Sequence, residues 1–155
     1  MDIVNKETRS RMMSGIRGKN TKPELKVRRF LHALGYRFRL HRKDLPGKPD
    51  IVLPKLMTCI FVHGCFWHRH PGCRFSTNPS TRSAFWNEKF IKNVERDAKN
   101  QTSLEAMGWT VIIVWECELR DAGSALSNLA DRLEVMKNTP SYNSPKKARL
   151  DTFTR

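Results

Sequence analysis

Residues 57–73, MTCIFVHGCFWHRHPGC, constrain this chain more than any other stretch. MTCIFV is apolar on both faces, so it reads as a central strand of a sheet that is covered on each side. It runs into a loop that carries His63, His68, His70, Cys65 and Cys73 beside two large rings, Phe66 and Trp67. Any fold for this chain must bury the strand and still leave room for the polar loop at its exit.

Composition bounds the setting. The chain has 155 residues, enough for one domain with a real core. Its 29 Lys and Arg against 15 Asp and Glu give a formal charge of +14, which favours a polyanionic partner. No stretch reaches the roughly 18 apolar residues of a membrane span. The opening MDIVNKETRSRMM is too polar for a signal peptide. A cytoplasmic protein is therefore expected, with cysteines present as thiols or metal ligands and not as disulfides.

Residues 1–20 are polar and basic and read as a flexible arm that orders on a partner, with Met12 and Met13 as its apolar tip. The folded domain is expected over 21–137. Thr21 and Glu24 make a capping box, Pro23 suits a first turn, and Val27, Phe30, Leu31 and Leu34 recur at helical spacing up to Gly35. YRFRLH (36–41) alternates as a half-exposed strand, and neither His32 nor His41 is given a role. PGKPD (46–50) turns the chain into the strand Ile51–Leu53. Ser80 or Thr81 can cap a long helix over about 82–106, with Phe85, Ile91, Val94, Ala98 and Leu104 inward. WTVIIVW (109–115) is a further apolar strand, and a last helix spans about 122–136, with Ala125, Leu126, Leu129, Leu133 and Val135 or Met136 inward. The tail 138–155 is basic and reads as disordered. The order α-β-β-β-α-β-α implies an α/β fold, a mixed sheet with helices on both faces.

Three constellations carry chemistry. Cys65, His70 and Cys73, joined by Cys117 from the end of the last strand, make a Cys3His set suited to tetrahedral zinc, and Pro71-Gly72 supplies the reversal between His70 and Cys73. Cys59, inside its strand, reads as a buried thiol. Asp50 at one strand and His63 at the end of the next resemble the way metal-dependent nucleases hold a hard cation at a phosphate. The Glu-x-Lys that usually follows is missing, which leaves His63 and His68 to move protons, with Asp97 or Glu95 to orient one of them. Phe66 and Trp67 lie between metal ligands and are read as a wedge that enters a nucleic-acid stack, with packing of both rings over the zinc site as the alternative.

FVHGCFWHRHPGC, with PGKPDIV upstream and FWNEKFIKNVERD and GWTVIIVWECELR downstream, resembles the very short patch repair (Vsr) DNA mismatch endonucleases. TRSRMMSGIRGKNTKPE is similar to the start of the same family, and the likeness covers about residues 6–135. It implies a restriction-endonuclease-like fold, a variant of the PD-(D/E)xK nucleases with a structural zinc. It also implies a Mg²⁺-dependent enzyme that nicks one strand of double-stranded DNA 5′ of the thymine in a T:G mismatch left by deamination of 5-methylcytosine. A cytosine-5 methyltransferase is then the functional companion, mismatch-repair proteins are expected partners, and the enzyme acts as a monomer in the nucleoid-containing cytoplasm.

Carried over by position, the resemblance implies that Asp50 holds Mg²⁺ together with the backbone carbonyl of Val62. His63 and His68 become the active-site histidines, Asp97 the acid paired with a histidine, and Glu24 the acid at the site's edge. Cys65, His70, Cys73 and Cys117 become the zinc ligands. Phe66 and Trp67 enter from the major groove, and Met13, with Met12 as the alternative, from the minor groove. Val62 stands where the family often has Thr, and two residues separate His70 from Cys73, one more than in the commoner form. A zinc-stabilised DNA-binding module without catalysis is the competing expectation; it would not need Asp50 or His68.

Overall fold

A computed structural model of the chain describes residues 5–14, 19–120 and 123–139. Four strands make one sheet in the order β1–β2–β3–β4: β1 is Arg39–Leu40, β2 Ile51–Leu53, β3 Thr58–His63 and β4 Thr110–Trp115. The first three are antiparallel neighbours, and a tight 3-10 turn, Pro54–Leu56, joins β2 to β3. β3 and β4 are parallel, from Thr58↔Thr110 to His63↔Trp115. Parallel neighbours need a long crossover, which helix α4, Ser83–Ala106, supplies along with the short helix α3, Cys65–His68. β3 is thus paired on both sides, as its apolar run demands.

The sheet lies between two helical layers. On one face Ile51, Leu53, Ile60, Ile112 and Val114 pack against Val27 and Leu31 of α2, Lys22–Ala33, and against Leu126, Leu129 and Leu133 of α5, Ser124–Asn138. On the other, Val52 and Cys59 meet Leu45 and Leu104 of α4. Cys59 is fully buried in this apolar layer, and burial pushes its thiol up to about 12. The expected α/β arrangement, a mixed sheet flanked by helices, is what the chain adopts. Among the described residues, no helix is long and apolar enough to cross a membrane.

Several local expectations change. Helix α1 covers Lys6–Ser14 within the segment read as an arm. Met12 and Met13 fall in it, and their side chains lie outside the described residues, as does nearly all of the 138–155 tail. The strand expected over 36–41 pairs only at Arg39–Leu40. Thr21 caps α2 by accepting from the Glu24 N–H, but the Glu24 carboxylate reaches past it to the N–H of Asn20 at 2.9 Å. Helix α4 starts after Arg82, in a left-handed conformation with φ 55 and without a side-chain cap, and not on a Ser80 or Thr81 cap. Of α5's two candidates, Met136 packs on the core while Val135 is exposed.

The largest correction concerns the face that α4 turns inward. Phe85, Ile91 and Val94 are exposed, at 44, 58 and 46 %. Ala98 is exposed too; Leu104 is buried as expected, Phe90 is buried with it, and Trp86, Asn93, Asp97 and Asn100 are half-buried on the same side. These positions follow a helical period, but half of them are polar, so apolar periodicity points to the wrong face.

The loop before β2 is held tightly to α4. Gly47 has φ +75, and a Cβ there would stand 3.0 Å from Nδ2 and 3.1 Å from Cβ of Asn100. Gly47→Ala is expected to destabilise the protein by about 1–2 kcal/mol from backbone strain alone. Urea unfolding checks this; an unchanged midpoint would show that the loop yields freely.

Candidate active site and metal centre

Parallel pairing brings the ends of β3 and β4 to the same edge, and two clusters of chemical groups assemble just beyond them. In the first, donor atoms of Cys65, His70, Cys73 and Cys117 all lie within 4.8 Å of one another. His70 Nδ1 is 3.3 Å from the Cys117 sulfur and 3.8 Å from that of Cys65. Ligands of one tetrahedral zinc stand about 3.3–3.8 Å apart, so three sulfurs and one imidazole nitrogen fit that ion. The His70 ring stacks on Trp115 at 4.2 Å, and the Ser76 hydroxyl is 2.8 and 2.9 Å from the carbonyls of Cys65 and His70. The loop is therefore shaped by its own hydrogen bonds. Burial pushes the Cys65 thiol up to about 12, so a bound metal would displace that proton.

The second cluster joins β3, α3 and α4. His63 ends β3, 6 % exposed, and its ring stacks on His68 at 3.8 Å and 6°. His68 Nδ1 lies 2.6 Å from Asp97 Oδ2. Burial alone would raise Asp97, but the hydrogen bond and charge of His68 outweigh it and hold the carboxyl below its usual range. An ionised carboxylate only accepts, so His68 donates to it from Nδ1, and its other ring nitrogen, Nε2, is turned away from Asp97. Burial, then the neighbouring His68, draws His63 down to about 4, so it is neutral at neutral pH. Asp97, and not the exposed Glu95, orients His68. These groups line a cleft of about 420 Å³ together with Lys43, Lys48 and Arg96.

Asp50 stands beside this pair. Its Oδ2 accepts from the Val62 N–H at 2.8 Å, a main-chain contact that a Val in place of Thr leaves intact. Ligand atoms of Glu24, His41 and Asp50 lie within 4.8 Å of one another. Glu24 is 2 % exposed. Burial, helped by the Glu24 charge, pushes Asp50 up to about 7 against the pull of the Val62 N–H, His68 and Arg28. The buried Glu24 carboxylate and the half-buried Asp50 carboxylate offer oxygen donors of the kind that fits a hard divalent cation. Sequence reasoning passed over His41, because only the β1–β2 pairing of Leu40 with Ile51 brings it to Asp50.

Phe66 and Trp67 are half-buried and meet each other edge to face at 5.1 Å. Phe66 also packs on Trp86 and Phe90 of α4, at 5.7 and 5.2 Å. Lys89 holds its ammonium 5.3 Å over the Trp67 ring, and Asn93 donates to the Trp67 carbonyl at 3.1 Å. The rings that meet them belong to α4, whereas His70 stacks on Trp115. Trp86, Phe90 and Lys89 were not foreseen; an aromatic at both ends of FWNEKF was the available signal.

Comparison with known proteins adds an independent line. The family model for DNA mismatch endonuclease Vsr matches residues 1–74. The type II nicking enzyme V.XorIIP of Xanthomonas oryzae pv. oryzae is 49 % identical over 133 residues, 86 % of this chain and 97 % of its own. The type II nicking enzyme V.NmeAIP of Neisseria meningitidis is 50 % identical over 120 residues, 77 % of this chain and 85 % of that one. The DNA mismatch endonuclease Vsr of Escherichia coli is 42 % identical over 134 residues, 86 % of this chain and 85 % of that one.

The raised Asp50 pKa carries a stability signature. Between about pH 4 and pH 7 the folded chain keeps a proton that the unfolded chain releases, so Asp50 makes stability fall as pH rises through that window. Asp50→Asn is expected to be more stable than the parent at pH 8 in magnesium-free buffer, by on the order of 3 kcal/mol, and equal to it near pH 4. Paired urea titrations test this; curves that stay together across the range would show that Asp50 is not strained by burial.

Proposed function

The chain belongs to the Vsr family of DNA mismatch endonucleases, and from that premise we propose that it nicks one strand of double-stranded DNA on the 5′ side of the thymine in a T:G mismatch. Such mismatches arise when 5-methylcytosine deaminates, so the nick would open very short patch repair beside a cytosine-5 methyltransferase and with mismatch-repair proteins. The sheet and its helical cover are read as a restriction-endonuclease-like, PD-(D/E)xK-variant domain over 21–137, acting as a monomer. The observation that carries the catalytic reading is that the Val62 N–H ties Asp50 to the end of β3, where the His63–His68–Asp97 group also stands, near enough for His68 to act electrostatically on Asp50.

The roles follow from these contacts. Asp50 and the Val62 carbonyl would hold Mg²⁺, with Glu24 at the edge of the site. Bound there, the ion would offset charge that builds on the phosphoryl oxygens. His68, held by Asp97 through Nδ1, would take at Nε2 a proton from the attacking water, whose oxygen forms the new bond to phosphorus. Asp97 fixes the tautomer of His68 and stabilises its charged form. The bond from phosphorus to the leaving sugar oxygen breaks, and that oxygen takes a proton from a solvent water. His63, neutral and stacked on His68, is placed to donate a hydrogen bond on the leaving side. Lys43, Lys48 and Arg96 supply positive charge along the cleft that the strand would follow.

Cys65, His70, Cys73 and Cys117 would bind a structural zinc that closes the loop carrying the aromatic pair. Phe66 and Trp67, backed by Trp86 and Phe90, are suited to wedge into the stack at the mismatch, where a T:G wobble unstacks more readily than a matched pair. Met13, or Met12, would approach from the minor groove on the N-terminal arm.

Two measurements test these roles. A nicking assay with Mg²⁺ should show wild-type cleavage of T:G duplexes over T:A. Asp50→Ala should abolish cleavage yet keep DNA binding, and Trp67→Ala should lose most of the T:G preference. Near-wild-type nicking by Asp50→Ala would overturn the catalytic assignment, and the lack of any nicking by the parent would favour the non-catalytic DNA-binding module. Elemental analysis should find one zinc per chain, and Cys73→Ser should lose it and unfold at a sharply lower temperature. A folded, active, metal-free preparation would refute the zinc role.

A further inference from the structure

Arg28 and His41 take no part in the chemistry above, yet both are built into the wall of the carboxylate site. Arg28 projects from α2 with its side chain 12 % exposed. Its Nη2 stands 2.9 Å from Glu24 Oε2 and 2.8 Å from His41 Nε2. A guanidinium only donates, and Nη2 has two hydrogens, so it can serve both acceptors at once. The His41 nitrogen that faces it must then be bare, and the ring proton sits on Nδ1. That atom lies 3.8 Å from Asp50 Oδ1.

His41 is held in this posture. Its backbone is left-handed with φ 47, and its N–H donates to the Asp50 carbonyl at 3.3 Å. The neighbouring Leu40 pairs with Ile51. In this tautomer neither ring nitrogen is free to ligate a metal: Nε2 is taken by Arg28, and Nδ1 bears a hydrogen. What remains is donation, running from Arg28 to His41 to Asp50.

We infer that His41 is a positioning residue for the metal-binding carboxylate: Arg28 sets its tautomer, and its Nδ1–H orients Asp50 Oδ1. The Nδ1–Oδ1 distance is about 1 Å longer than a hydrogen bond, within reach of a small turn of the carboxylate. The Val62 N–H already ties the other oxygen at 2.8 Å. Two donors on opposite oxygens fix the plane of the carboxylate and aim its remaining lone pairs at one cation. Outer partners of this kind typically govern metal affinity without touching the metal. The inference rests on the proposal that Asp50 holds the divalent ion.

The test uses Mn²⁺ as the probe, with free Mn²⁺ read by electron paramagnetic resonance against the purified full-length chain. His41→Ala is expected to weaken binding roughly 10–100-fold. His41→Gln should stay close to the parent, because its amide can accept from Arg28 and donate to Asp50. Imidazole ¹⁵N resonances of the metal-free protein should report His41 as the Nδ1–H tautomer. Unchanged Mn²⁺ binding in His41→Ala, with only a lower melting temperature, would reduce His41 to a packing residue. Equal losses in His41→Gln and His41→Ala, or an Nε2–H tautomer, would make the imidazole itself the ligand. Asp50→Asn, measured alongside, should lose Mn²⁺ binding; if it does not, the metal reading of Asp50 fails, and the inference about His41 falls with its premise.

Discussion

The parallel pairing of β3 with β4 is the constraint on which the rest of the molecule depends. Because both strands run the same way, their last residues, His63 and Trp115, lie side by side. Cys65 and Cys117 follow each end by two residues and so reach the same place, where His70 and Cys73 join them. Trp115 in turn gives His70 a ring to stack on. An antiparallel β4 would carry Cys117 to the opposite edge, and no local feature of the loop could assemble the cluster. The same edge receives Asp50, because the antiparallel β2 begins where β3 ends.

Helix α4 combines cover and chemistry, and its composition shows the conflict between them. Leu104 and Phe90 anchor it to the apolar layer and to the aromatic cluster. Between these anchors it turns Asn93 and Asp97 inward, one toward the Trp67 carbonyl and one toward His68. A helix that must present polar groups to a site cannot keep a continuous apolar stripe, and Phe85, Ile91 and Val94 are left on its outer side.

The electrostatics divide in the same manner. The formal charge of +14 belongs to the molecule as a whole, while the buried Glu24 and the half-buried Asp50 place two acids at one end of the sheet. Burial keeps His63 neutral and Asp50 reluctant to ionise, while Asp97 stays ionised through its bond to His68. Neighbouring groups of one chemical type are thereby driven to different protonation states, which is the arrangement that acid–base chemistry at a phosphate requires. A strongly basic chain favours a polyanion, and a pair of close carboxylates suits a hard cation.

Much of this was legible in the chain. Apolar runs marked β3 and β4, the Thr21 cap and Gly35 bounded α2, and short-range spacing grouped Cys65, His70 and Cys73, because each rests on rules that act over a few residues. Cys117 and Asp97 were named from afar, and the sheet and helix α4 then placed them. Tertiary structure alone decided which face of α4 turns inward, since its polar residues answer to partners on β3 and α3 and not to their own neighbours. It alone turned the Glu24 carboxylate away from its cap and toward Arg28 and His41. It also brought His41 to Asp50, nine positions away in the chain, through the β1–β2 register. Sequence periodicity reports which residues prefer burial; which polar groups meet is fixed by strand direction and register, and no local preference encodes these.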